Sequence, residues 1–202
     1  MNLFHILAIC GMLSPIIYTL MWIIGGIMQP DYSHVRDDVS SLMAVDAPHK
    51  KLFDKFIISS STLLFIFYLG LHWGVNDGVG SVVGPILFIF SGLLGVLVAL
   101  FFPLDAGGEI VTTRGKMHLI LIAISGMLAT VGMVAMWFRL ESVIQWSAFA
   151  SFSLVTAMIS LIFVIISSFT ATRSYFGLIE RVMVSSYQIY YFVLALMVFL
   201  TN

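Results

Sequence analysis

Long apolar runs broken by short polar stretches dominate the chain, at residues 3–28, 53–73, 82–102, 117–138, 146–169 and 178–201. Each is near the ~20 residues with which a helix crosses a ~30 Å hydrocarbon layer. In lipid the backbone must satisfy its own polar groups, and the ten-residue alternation of a membrane barrel is not present, so the runs predict helices. The expected fold is all-α: a polytopic membrane protein with one six-helix transmembrane domain over residues 1–202. The first run has no basic flank and no small-residue cleavage pattern, and is expected to be a retained helix rather than a signal peptide.

Composition strengthens that expectation. Of the 202 residues 60% are hydrophobic and 9% charged, with a mean hydropathy of +1.08, outside the range of a soluble globular domain. The polar connections also predict an orientation. Arg36, Lys50, Lys51, Lys55, Arg114, Lys116, Arg173 and Arg181 fall on the odd-numbered connections, and only Arg139 falls on the other side. Positive charge is retained on the cytoplasmic face, so the odd connections are expected inside and both termini outside a cell membrane. Trp73, Trp137 and Trp146 would then form an outer aromatic belt. A net charge of -1 with few, scattered basic residues gives nucleic acid no surface. Membrane lipids are the expected partners, with a homo-oligomer left open. Cys10, the single cysteine, lies inside the first helix and reads as a packing residue.

Within the first long connection, Val35, Val39, Leu42 and Met43 recur at helical spacing, which predicts a short interfacial helix from about His34 to Ala44. Asp31 or Ser33 would cap it, and Pro48 disfavours helix at Ala47. Pro15 and Pro85 are expected to bend the first and third membrane helices. Gly92, Gly95, Gly126 and Gly132, with Ser153, Thr156 and Ser160, supply small or weakly polar helix contacts. Tyr187, Tyr190 and Tyr191 place phenolic groups at depth, where they need partners.

Ionisable groups gather at the ends expected to face inward: Arg36, Asp37, Asp38 and His49 in the first connection, Asp105 after the third helix, His118 in the fourth, and Glu180 and Arg181 in the sixth. Such groups near lipid are costly unless paired, so they are expected to meet in one polar cluster that also includes Ser40. The glycine-rich stretch between Asp105 and His118 would let those two face each other. No phosphate-binding glycine loop occurs and no resident cofactor is expected.

The segments Tyr32-Ser33-His34-Val35-Arg36-Asp37-Asp38-Val39-Ser40, Phe102-Pro103-Leu104-Asp105 with His118 downstream, and Gly177-Leu178-Ile179-Glu180-Arg181 resemble the hallmark stretches of the uncharacterised six-helix membrane family called domain of unknown function 998. That family often has a glutamate after the serine, where this chain has Ser41. More distantly the layout is similar to the Frag1/DRAM/Sfk1 group, which is linked with lipid handling. The resemblance implies a fold and a region of interest, with no established reaction.

Three functional classes fit these residues. The first is a non-enzymatic module that binds a lipid headgroup or small amphiphile at the inner leaflet, with Arg36 and Arg181 pairing to a phosphate in bidentate fashion. The second is an intramembrane hydrolase, in which His118, His49 or His34 with Asp105 or Asp38 hold a metal and activate water; a Ser40, His118 and Asp105 triad is a further version without a nucleophile-elbow sequence. The third is a small transporter or proton-coupled channel titrating at Asp105, Glu180 and His118, against which the nearly uncharged helix centres argue. The residues leave enzyme and non-enzyme readings both open.

Overall fold

The computed structural model describes residues 1–106 and 110–202. The described residues hold six long helices: α1 (Leu3–Met28), α2 (Lys50–Leu69), α3 (Val83–Phe101), α4 (Thr113–Leu140), α5 (Ser147–Thr170) and α6 (Phe176–Thr201). All six have the length and hydropathy of membrane spans. At 1.5 Å per residue α3 is about 28 Å long and α4 about 42 Å, so α4 must tilt or project beyond the hydrocarbon. Each helix packs on its sequence neighbours and α6 packs back on α1, which closes the bundle into a ring.

Hydroxyl pairs staple this ring. Ser14 and Ser60 meet at 3.1 Å between α1 and α2, Ser91 and Ser125 at 3.1 Å between α3 and α4, and Ser160 and Ser186 at 2.7 Å between α5 and α6. Tyr187 reaches Thr130 at 2.7 Å and Tyr190 reaches Ser153 at 2.8 Å, so these two phenols find partners at depth. In the membrane such bonds average only about 0.6 kcal/mol each. Their larger effect is on register. Between them packs an aromatic core of Tyr68, Phe88, Phe149, Tyr190 and Tyr191. Gly92 admits the Tyr68 ring and Gly132 the Phe88 ring.

Both termini lie at one end of the bundle, here the terminal end: Asn2 Nδ2 donates to the Asn202 carbonyl at 3.1 Å and Asn202 Nδ2 donates to that of Gly74 at 2.9 Å. Arg139 clamps the nearby 70–82 connection. Its guanidinium meets His72 Nδ1 and donates to the carbonyls of His72, Val75 and Ser81, all at 2.8–3.0 Å. The opposite, basic end carries residues 29–49, 102–106, 110–112 and 171–175.

Several local expectations change. Pro85 is the third residue of α3, where its missing amide would have had no helical partner, so it breaks no bond. Pro15 is inside α1, which continues through it. Trp146 is 1% exposed and packs in the core, while Trp73 is exposed. The largest change is at 34–44, where turns and a single 3-10 turn, Ser40–Met43, replace the expected helix. Side chains take the backbone groups that a helix would use. Asp37 Oδ2 accepts from the Ser33 amide, Asp38 Oδ1 from Ser41 and Glu180 Oε2 from Val39, at 2.7–2.8 Å. Arg181 meanwhile donates to the carbonyls of His34 and Asp37. Such local side-chain bonding competes directly with helix formation. Leu42 and Val39 are buried against Met21 and Phe53, but Val35 points away and is 48% exposed.

Candidate functional site at the basic end

Arg181 organises this end. From the second turn of α6 its Nη1 donates to the carbonyls of His34, Asp37 and Gly177 at 2.7–2.8 Å, and its Nη2 donates to the Tyr32 hydroxyl. The guanidinium carbon also lies 5.6 Å from the Trp22 ring centroid and 5.4 Å from that of Tyr32, within cation–π range. Its Nε is buried without a partner among the described residues. The residue is 6% exposed, and it fastens the first connection to α6 through carbonyls and a phenol rather than through carboxylates.

Around it the acids are divided by environment. Arg36 forms a salt bridge with Asp37 at 2.6 Å, and its Nη2 also donates to the Asp31 carbonyl at 2.7 Å. That guanidinium holds the Asp37 carboxyl below the usual carboxylate range. Burial instead pushes Asp38 up, against the Ser41 amide and the nearby His118 and Arg181. Tyr32, which donates to the Asp38 carbonyl at 3.0 Å, is also pushed up by burial. Glu180, one residue before Arg181, faces the same interior and accepts from Val39.

The third and fourth helices contribute two separate contacts. Asp105 accepts from the Thr112 hydroxyl at 2.6 Å and from the amides of Val111 and Thr112 at 2.9 and 2.7 Å; the Thr112 hydroxyl in turn accepts from Gly115 and caps α4. These bonds, the Thr112 hydroxyl foremost, hold the Asp105 carboxyl below its ordinary value. Gly115 leaves room for that carboxylate, since a β-carbon there would overlap it. His118 does not bond to Asp105. Its Nδ1 lies 2.6 Å from the Phe102 carbonyl and its Nε2 3.2 Å from Ser40 Oγ. Residues 107–109, in the glycine-rich stretch expected to bring Asp105 and His118 face to face, lie outside the described residues.

The structure thus joins Arg36 to Asp37, and Asp38, Glu180 and Arg181 to the 32–41 backbone, and Ser40 to His118. Asp105 closes its own hairpin instead. The metal candidates are not assembled: His49 stands at the start of α2 with its ring 6.5 Å from that of Phe53, His118 bonds to Phe102 and Ser40, and Asp105 bonds to Thr112. Among the described residues no three His, Cys, Asp or Glu side chains come together as a metal set. Sequence reasoning missed Tyr32 and Trp22 as the faces that hold Arg181. An arginine after a glutamate at a helix start, with tyrosine and tryptophan flanking the facing connection, was the available signal.

Two hollows flank Arg181. A cleft of about 450 Å³ lies under the end of α1, lined by Gln29, Asp31, Tyr32, Asp37, Ser41, Asp46 and His49 among others. It sits between the end of α1, the first connection and the start of α2. A lateral groove of about 460 Å³ runs between α5 and α6, lined by Phe152, Thr156, Ile159, Arg181, Ser185 and Ile189 among others. Arg181 lines the groove and bonds to Tyr32 and Asp37, which line the cleft.

No curated protein and no solved structure matches the chain. A family model does match, over residues 12–197, and with the six helices and the basic-end segments in place the chain belongs to the family described as protein of unknown function, DUF998.

Proposed function

We infer that this protein binds a membrane lipid or small amphiphile at the basic end of its bundle, with that end facing the cytoplasm and both termini outside the cell membrane. The observation that carries the reading is the position of Arg181 between an apolar, hydroxyl-dotted groove at membrane depth and an acidic cleft at the surface. An amphiphile has the same two-part character. Its chain would lie along α5 and α6, and its head would sit over the first connection.

The charges select the head. Both arginines are already engaged, Arg36 by Asp37 and Asp31 and Arg181 by three carbonyls and Tyr32, which leaves little for a phosphate. The cleft presents Asp31, Asp37 and Asp46 beside the Tyr32 ring. Among the described residues Asp31 and Asp46 carry no ion pair. Carboxylates with an aromatic face favour a positively charged amine, so the ligand is an amine-headed lipid or amphiphile. The eight-to-one division of basic residues supports the orientation.

Native mass spectrometry of the purified protein in nanodiscs mixing an ethanolamine-headed and a glycerol-headed phospholipid tests the reading. Preferential retention of the ethanolamine lipid, reduced in the Asp31→Asn, Asp46→Asn double variant, is expected. Equal retention, or preference for the anionic lipid, refutes it. Single cysteines at positions 77 and 142 should label from outside intact cells and one at position 46 should not; the reverse pattern would invert the orientation.

A further inference from the structure

Ser40 and His118 are far apart in sequence, and the fold sets them together with a third group in the order that a hydrolytic nucleophile requires. Ser40 opens the 3-10 turn of the first connection and is partly exposed; His118, in the second turn of α4, is 6% exposed. The Phe102 carbonyl, 2.6 Å from His118 Nδ1, can only accept a hydrogen bond. In the neutral ring the proton therefore resides on Nδ1, and Nε2 faces the Ser40 hydroxyl at 3.2 Å as an acceptor. A hydroxyl donating to an imidazole whose other nitrogen is fixed by a carbonyl acceptor is the arrangement of an activated serine, and distances of this kind tighten when substrate binds. The orienting group is a backbone carbonyl, not Asp105, which is occupied by Thr112. The neighbouring Ser41 lines the acidic cleft, and Ser40, in the same turn, is itself partly exposed.

We propose that Ser40 is an acyl-accepting nucleophile and His118 its general base, acting on carboxylic esters of membrane amphiphiles. The choice of substrate rests on the binding reading above; the dyad itself does not. In the first half-reaction the Ser40 Oγ forms a bond to the ester carbonyl carbon while its proton passes to His118 Nε2. The carbon–oxygen bond to the leaving alcohol breaks, and that alcohol takes the proton from Nε2. Water then adds to the acyl-serine with His118 again as base, the carboxylic acid leaves, and Ser40 regains its proton. Ester and water are consumed, alcohol and acid are formed, and no oxidant or further reactant enters.

The test uses an alkyl fluorophosphonate, which phosphonylates activated serines, on the purified full-length protein in detergent, beside a serine hydrolase that confirms probe activity in the same micelles. Peptide mapping should find one phosphonyl group, on Ser40. Ser40→Ala should abolish it and Ser41→Ala should retain it, while His118→Gln should slow it by about 100-fold or more, the scale of a lost general base. Absence of label on Ser40 in the native protein overturns the proposal, whatever the variants do. Labelling of His118→Gln at the native rate, with an unchanged melting temperature, overturns the role of His118. Labelled Ser40 without lipid preference would leave the dyad standing and refute the amphiphile reading; lipid preference without label would do the reverse.

Discussion

Replacing Arg181 with lysine keeps the charge and removes the fork, which isolates what the guanidinium does. In the structure two terminal nitrogens serve four acceptors: Nη1 meets the carbonyls of His34, Asp37 and Gly177, and Nη2 meets the Tyr32 hydroxyl. One ammonium cannot occupy both positions, so at least one acceptor must be given up, along with the guanidinium's contacts with the Trp22 and Tyr32 rings. At roughly 1–3 kcal/mol for each buried polar group left without its bond, Arg181→Lys should cost about 2 kcal/mol. Arg181→Ala, which leaves the His34 and Asp37 carbonyls without this donor while the Tyr32 hydroxyl still bonds to the Asp38 carbonyl, should cost about 4 kcal/mol. For a chain of this size about 2 kcal/mol corresponds to a fall of roughly 4–8 °C in Tm. The disturbance should be local. Since the stranded carbonyls of His34 and Asp37 belong to the first connection, limited proteolysis in detergent should open residues 32–39 in both variants before any helix is cut. A lysine variant with native Tm and native protection would mean that charge alone matters here, and would refute the geometric account.

Two further outcomes test the same end of the bundle. Gly177→Ala should destabilise by about 1–3 kcal/mol in thermal melts, the scale of overpacking, because a β-carbon there overlaps the Asp37 carbonyl oxygen and sits 2.9 Å from its carbon; unchanged melting would show that the connection yields freely. Asp105 and Asp37 have folded-state carboxyls held below the ordinary value near 3.9. Their contributions are therefore complete above about pH 4 and are lost as pH falls through the lowered folded values. Asp105→Asn should flatten the dependence of Tm on pH below about 4 while Tm at pH 7 falls only modestly; an unaltered acid limb would refute a stabilising role for the charge.

The bundle itself was legible in one dimension because lipid imposes a one-dimensional rule: a span must be apolar, helical and about 20 residues long. The 3–28 run matches α1 residue for residue, and the others end within a few residues of their expected limits. The phenols at 187 and 190 could be read as needing partners for the same reason. The basic-end cluster was legible only as a cluster. That Glu180 and Arg181 would take backbone groups of residues 34–39, and so help replace a helix over 34–44 with turns, depends on residues more than 140 positions apart meeting between the first connection and α6. Likewise the partner of His118 was expected to be Asp105, three residues beyond the end of the third apolar run, yet Val111 and Thr112 hold that carboxylate and Ser40 and the Phe102 carbonyl receive the imidazole. Periodicity and charge count depend on the chain alone; which acceptor each donor takes depends on the closure of the ring, and only the tertiary structure decides it.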